Sequence, residues 1–321
     1  MSGIKVRDLS EEFSWGSVVE GVDWETLKDE AVRAQLRALF DDRGLIVFEG
    51  CEPSAKFQVA LSTVFGPLKD HPTRGTPRVD PDSAPGVIDM HSYPRKVDGD
   101  LSGLVEIKGK LLTRFSPWHF DHCYNDELNY AGVLRCVVNA PKGGRTGFCD
   151  GVELYHQISP ELRDEIDGLN VIYTLDTRLS TMRFGRTFRD FGEAPGPSPT
   201  LEEAKHFPRA MHPAVWTRPN GDKCLHVGAW MAVGIEHQEN DEGDALLEAV
   251  CQEINHKAHA YWHDWKPNDM VIWDNLRMLH AVEGNDPAYE RQTQRTTIRG
   301  DYGLGYFEHG KKIGEVMREL A

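Results

Sequence analysis

The chain has 321 residues, 40% hydrophobic and 27% charged, with a formal net charge of −15. That length suits one large domain or two ordinary ones, and the composition is that of a soluble globular protein. So acidic a chain repels phosphate backbones, which argues against a nucleic-acid partner while leaving room for a local basic pocket.

In chain order, the segment 25–43 carries Leu27, Val32, Leu36, Leu39 and Phe40 at helical spacing. Gly44 ends that helix, and "LIVFEG" follows as a short buried strand. A second helical pattern, "SAKFQVALSTVFG", stops at Gly66. The stretch 71–113 is rich in Pro, Gly and Asp and reads as loops with one or two short strands. From 113 onward strands dominate: "LNYAGVLRCVVNAP", a short one in "KGGRTGFCDG", "NVIYTLDTR", "CLHVGAW", "DMVIWDN" and "QRTTIRGDY". Helical stretches lie at "GVELYHQISPELRDEIDG" and "EGDALLEAVCQEINHKAHAYW". Residues 183–210 have no clear period and read as a long loop or lid. The pattern predicts a mainly β fold with flanking helices, most simply a jelly roll, in one domain spanning 1–321 with that irregular insertion.

Six cysteines are scattered without a CxxC pair, the N-terminus lacks the apolar core of a signal peptide, and no apolar run is long enough to span a membrane. A cytoplasmic protein with free thiols and no membrane partner is the expectation.

The segment "SPWHFDHCYND" at 116–126 concentrates metal-ligating side chains. His119 with Asp121, or Asp121 with His122, could share a metal. If the segment is a strand, alternate residues share a face, which favours His119 with Asp121. Fourteen histidines offer third ligands, and His280 in "WDNLRMLHAVEG" has the best context. Two histidines and a carboxylate make the facial triad of non-haem Fe(II) oxygenases. Arg291 and Arg295 follow, and period-2 counting puts them on one strand face with Arg299. A planar guanidinium that stays charged suits a buried dicarboxylate, although three exposed arginines on an edge strand would read the same way.

Together these segments resemble the taurine dioxygenase and 2,4-dichlorophenoxyacetate dioxygenase family of Fe(II)/2-oxoglutarate-dependent oxygenases. The resemblance runs through "ALFDDRGLIVFEG", "FGPLKDHP", "WHFD", "GGRT", "MHPAVWTRPNGDKCLHVG", "WKPNDMVIWDN" and "RTTIRGD". It implies a double-stranded β-helix, the cupin-like jelly roll, and iron held by His119, Asp121 and His280. It implies that Thr146 and Arg291 bind 2-oxoglutarate, with Arg295, His71 and Arg74 toward the primary substrate. Arg74 stands where the taurine enzymes carry Tyr, which argues against taurine itself. The implied reaction consumes O2 and 2-oxoglutarate, releases succinate and CO2, and hydroxylates a small, anionic carboxylate or sulfonate. The family also leaves room for a homo-oligomer. Two other readings stay open: a non-hydroxylating outcome such as desaturation, and a non-enzymic cupin-like metabolite-binding protein. Halogenation is disfavoured because Asp121 keeps the carboxylate. A zinc hydrolase would give Arg291 and Thr146 no role. His122 and Cys123 read as packing groups or as groups supporting the metal ligands from behind, His212 as a turn residue, and Trp273-Asp274-Asn275 as a turn that sets the angle of the His280 strand.

Overall fold

The computed structural model describes residues 3–80 and 82–319. Strands β1 (Lys5–Asp8) and β2 (Ser17–Glu20) lead into helix α1 (Glu30–Arg43), strand β3 (Leu45–Glu49) and helix α2 (Ala55–Ser62). The Asp29 side chain accepts from the Ala31 N–H and starts α1; Gly44, at φ 71°, closes it. The helical pattern began earlier in sequence, but Asp29 breaks it, and residues 26–28 form only a 3-10 turn. Ser54 caps α2 in the same way through the Phe57 N–H.

Strands β4 (Ile88–Ser92), β5 (Val105–Ile107) and β6 (Lys110–His119) follow, then β7 (Ala131–Val138) and β8 (Thr146–Asp150). Helices α3 (Gly151–Gln157) and α4 (Pro160–Ile166) split the single helical stretch expected there, because Pro160 begins a new helix. Strands β9 (Asn170–Tyr173) and β10 (Arg189–Asp190), helix α5 (Pro199–Ala204), and strands β11 (Ala210–Pro213), β12 (Val215–Thr217), β13 (Lys223–Leu225) and β14 (Ala232–Ile235) come next. Helix α6 (Asp241–Lys257) is capped by Asn240, which accepts from two backbone N–H groups. The chain then adds β15 (Tyr261–His263), β16 (Met270–Asp274), β17 (Met278–Asn285), β18 (Arg291–Ile298), β19 (Tyr306–Phe307) and helix α7 (Ile313–Glu319). Tyr261 and Trp262, expected at the end of α6, pair instead with β8.

The fold is mainly β with helices outside. A seven-stranded sheet runs β1-β2-β3-β16-β7-β18-β4, and a six-stranded sheet runs β10-β5-β6-β17-β8-β15. Alternation along the central strands explains how both faces of the larger sheet are buried. Ile46, Phe48, Met270 and Ile272 face α1 and α2, where they meet Leu36, Phe40, Phe57 and Leu61. Leu45, Val47, Val271 and Trp273 face inward and pack on Phe148 and Met278 of the second sheet. A strand buried on both sides reads as a continuous apolar run, as "LIVF" and "MVIW" do. Helices α3, α4 and α6 and the four-stranded sheet β14-β9-β11-β19 enclose a third apolar cluster. The space left between the two main sheets, toward β4, β6 and β18, is a cavity of about 620 Å³.

The insertion expected at 183–210 contains β10, which pairs with β5, and α5, whose Glu203 accepts from the Arg74 and Gly75 N–H groups. No helix among the described residues is long and apolar enough to cross a membrane. All six cysteines are buried and free.

Candidate active site

Antiparallel pairing brings the two candidate histidines together. His280 on β17 lies directly across from His119 at the end of β6, and directly opposed side chains in such a ladder are close neighbours. Their ring centroids are 4.1 Å apart. Asp121 joins them by a different route from the one the alternation argument supposed. The strand ends at His119, and Asp121 lies in a turn that continues through His122 at φ 62°. What holds the carboxylate in place is Asn275, in the tight turn between β16 and β17. Its Oδ1 accepts from the Asp121 N–H at 2.8 Å, and its Nδ2 donates to the Asp121 carbonyl at 3.1 Å and to Asn129. The Trp273-Asp274-Asn275 turn therefore sets the second ligand as well as the third.

One ligand atom from each of His119, Asp121 and His280 lies within 4.8 Å of the others, and all three residues are buried. The His119 Nδ1–H donates to the Pro117 carbonyl at 2.8 Å, which leaves the Nε2 lone pair for a metal. The His280 Nε2 stands 3.8 Å from Asp121 Oδ1. Arg295 Nη1 donates to the same Oδ1 at 2.6 Å, and Oδ2 has no hydrogen-bond partner among the described residues. Burial alone would raise the Asp121 carboxyl, but Arg295 and the imidazoles of His280, His122 and His119 outweigh it and hold the group well below the usual carboxylate range. Burial holds both histidine ligands below the ordinary imidazole value, so they are neutral and able to ligate at pH 7. A buried carboxylate with a free oxygen and two neutral imidazoles form a donor set that fits Fe(II) with open positions.

Arg291 opens onto the same cavity. Its Nε donates to the Gly144 carbonyl at 3.1 Å, while Nη2 is buried without a partner among the described residues. Desolvation pulls its pKa down to about 10. Gly144 sits at φ 75°, and a Cβ there would stand 2.9 Å from Arg291 Cδ and Nε. That close approach is why "GGRT" needs a glycine beside this arginine. Thr146 lies on the same wall. Its hydroxyl oxygen accepts from the Trp265 indole N–H at 3.1 Å, which leaves its own proton to donate. A buried guanidinium nitrogen without a partner and a hydroxyl donor on the wall of one cavity are groups that could receive a carboxylate.

The remaining expectations divide. His71 lines the cavity; its Nδ1 accepts from the Thr73 N–H, and burial pushes its pKa down to about 3. Arg74 does not line it. The main chain at Arg74 and Gly75 is tied to Glu203 of α5, and the Arg74 side chain is exposed outside the cavity. Arg299 lies one residue beyond β18 and is exposed too, so the shared face extends only to Arg291 and Arg295. His212 is a buried pin: its Nε2–H donates to the Asn125 carbonyl, and its Nδ1 accepts from the Tyr302 hydroxyl. Cys123 is buried packing. His122, expected to be packing, lines the cavity. Sequence reasoning missed the roles of Asn275, Trp265 and Gly144; "WDN" and "GGRT" were visible, but what they touch depends on distant segments.

The sequence model of the family described as "Taurine catabolism dioxygenase TauD, TfdA family" matches residues 5–297. An alpha-ketoglutarate-dependent 2,4-dichlorophenoxyacetate dioxygenase of Cupriavidus pinatubonensis is 28% identical over 300 residues, covering 88% of this chain and 94% of that one. An (S)-phenoxypropionate/alpha-ketoglutarate-dioxygenase of Sphingobium herbicidovorans is 27% identical over 294 residues, covering 90% and 93%. The crystal structure of AAD-2 in complex with Mn(II) and N-oxalylglycine shares the fold, with a TM-score of 0.68 at 22% identity over 94% of this chain and 100% of that one.

Proposed function

The chain belongs to the TauD/TfdA family and is an Fe(II)- and 2-oxoglutarate-dependent dioxygenase, and from that premise we propose that it hydroxylates a small organic acid, a carboxylate or sulfonate, held by Arg295. The observation that carries this reading is a pair of arginines, Arg291 and Arg295, that open onto one cavity, each with a buried guanidinium nitrogen lacking a partner among the described residues. One cation serves the co-substrate and leaves the other for an acidic substrate. The two relatives described above are both named for acids of the phenoxyalkanoate type.

In this reading His119, Asp121 and His280 hold the iron, with His119 oriented by the Pro117 carbonyl and Asp121 by Asn275. Arg291 and Thr146 bind the far carboxylate of 2-oxoglutarate. The iron and 2-oxoglutarate together supply O2-driven oxidation of a substrate C–H bond, with release of succinate and CO2. The protein's part is binding, orientation and exclusion of water. Arg295 touches the Asp121 carboxylate and also faces the cavity, so a substrate anion on Arg295 lies beside the metal ligands. Trp273, Leu134 and Phe120 supply apolar wall. His71 is a further substrate contact, whereas the exposed Arg74 has no part in this assignment. We read the two large sheets as the halves of a double-stranded β-helix within one dioxygenase domain, and segment 183–210 as a lid over the cavity, because Thr200 of α5 lines it. The six free thiols suit a reducing compartment.

The test is oxygen-dependent succinate formation across a panel of carboxylates and sulfonates, with product analysis to separate hydroxylation from desaturation. The Arg295→Ala variant should raise the Michaelis constant of the acid far more than that of 2-oxoglutarate, and Arg291→Ala should do the reverse. A charge-assisted bond of this type is worth about 1.5–3 kcal/mol, or roughly ten- to a hundredfold. Equal impairment of both ligands in both variants would reject the division of labour. Absence of turnover in a folded, iron-loaded protein would leave a metabolite-binding protein.

A further inference from the structure

We propose that Trp265 is a positioning residue for 2-oxoglutarate: its indole N–H fixes the Thr146 hydroxyl so that the hydroxyl proton is held for the far carboxylate of the co-substrate. This rests on the function above, in which Thr146 and Arg291 bind that carboxylate.

Trp265 is buried in the loop between β15 and β16 and does not itself line the cavity. Its ring body belongs to the apolar cluster between the two main sheets, with Phe148 and Trp273. Its Nε1–H reaches the Thr146 Oγ1 at 3.1 Å. An indole N–H can only donate. The bond therefore occupies a lone pair of the Thr146 oxygen and cannot take up its proton. Among the described residues no protein group accepts that proton, and Thr146 lines the cavity together with Arg291. A hydroxyl engaged on its acceptor side has its rotation restricted and keeps one function, donation. Holding a donor ready in its bound orientation before the ligand arrives spares the ligand the cost of ordering it.

The loop that carries Trp265 is pinned from several sides. The Trp265 carbonyl accepts from Asn139 Nδ2 at 2.8 Å. The Lys266 N–H donates to Asp269 Oδ2 at 3.2 Å, and the Asp269 N–H donates back to the Lys266 carbonyl. His263 lies directly across the β8–β15 ladder from Thr146. Its ring meets the Trp265 ring edge to face, with centroids 4.5 Å apart and planes at 90°. His263 is held in turn, with Nε2 3.3 Å from Asp269 Oδ2 and Nδ1 2.9 Å from the Tyr261 hydroxyl. These contacts keep the indole against Thr146. A phenylalanine at 265 would fill most of the apolar space and leave the Thr146 hydroxyl free to turn. Satisfying a buried indole N–H is by itself a reason for the bond, so the test must separate that role from positioning.

The experiment is a double-mutant cycle on 2-oxoglutarate affinity. The Fe(II)-loaded protein is titrated anaerobically with 2-oxoglutarate, and binding is followed by the visible band of the chelated keto acid. Thr146→Val keeps the side-chain shape without the hydroxyl and should weaken binding roughly ten- to a hundredfold. Trp265→Phe should weaken it about three- to tenfold when Thr146 is intact. In the Thr146→Val background the same change should alter affinity less than about twofold, because the group it positions is gone. A Trp265→Phe protein with native 2-oxoglutarate affinity, whatever its melting temperature, would overturn the proposal. So would an equal loss of affinity with and without the Thr146 hydroxyl, since Trp265 would then support only the fold. Should Trp265→Phe fail to fold, Asn139→Ala releases the Trp265 main chain and carries the same expectation and the same refutation. Failure of the functional reading looks different: the native protein would form no band, or Thr146→Val would bind 2-oxoglutarate as tightly as the native protein.

Discussion

Asn275 is the residue on which the metal site most depends without itself being a ligand, and replacing it tests the whole account of how Asp121 is placed. The side chain is fully buried. Asn275→Ala removes the acceptor of the Asp121 N–H and the donor to the carbonyls of Asp121 and Asn129. Each lost hydrogen bond is worth about 1 kcal/mol, and stranding the buried Asp121 N–H adds about 1–3 kcal/mol. The sum is about 4–6 kcal/mol of folding stability, read as the shift in a urea unfolding midpoint of the metal-free protein. Fe(II) affinity should fall with it by at least about tenfold, which takes a misplacement worth only about 1.4 kcal/mol. Asn275→Asp separates the two effects. It keeps the Asp121 N–H bond and nearly the same shape but sets a buried carboxylate oxygen against the two carbonyls, so it should lose at least as much stability as Asn275→Ala while keeping the bond that positions Asp121. A folded Asn275→Ala with native Fe(II) affinity would show that the His119–Asp121 turn holds its own geometry, and the positioning argument would be wrong.

Gly144→Ala places a Cβ against Arg291 on left-handed backbone. We expect a loss of about 1–2 kcal/mol of stability and a raised Michaelis constant for 2-oxoglutarate with that of the acid substrate little changed, both measurable in a succinate assay and a thermal melt. The arginine pair should split as described above, Arg291→Ala acting on 2-oxoglutarate and Arg295→Ala on the acid. Acid should also destabilise the metal-free protein. Burial lowers His212 to about 4 and His226 to about 3. The unfolded chain takes up protons near pH 6.5, so the stability these neutral imidazoles confer is full above that pH and lost as pH falls. At pH 5 the loss is about 2 kcal/mol for each. Asp274, raised to about 6 by burial, has the opposite sign and returns about 1 kcal/mol over the same interval. These three groups together give a net loss of about 3 kcal/mol between pH 7.5 and pH 5, to which the other lowered imidazoles add in the same direction, and the loss should appear in urea titrations; a flat profile would contradict the burial of these groups.

Local and periodic features of this chain were legible in its sequence because their causes are local. Ser54 starts one helix and Gly44 stops another through bonds to residues a few positions away, whereas the cap at Asp29 was passed over by a helical pattern that ran on from residue 25. The apolar runs at 45–49 and 270–274 read as buried strands because both sheet faces are covered. The H-x-D segment, the distal His280 and the arginines after it were visible as a pattern of chemistry in chain order. What sequence could not supply was adjacency. The step from strand to turn after His119 overturned the same-face argument while leaving its ligand pair together, because Asn275, some 150 residues away in sequence, holds Asp121. Arg74 lay close to His71 in sequence but not in the cavity, since its main chain is tied to Glu203 in a distant short helix. His122 stood next to the ligands in sequence, and only the tertiary structure placed it in the cavity wall, with neither ring nitrogen hydrogen-bonded among the described residues. Residue identity determined which chemistry the chain could perform; long-range strand pairing and side-chain-to-backbone bonds decided which of those residues meet, because their partners are close in space and remote in sequence.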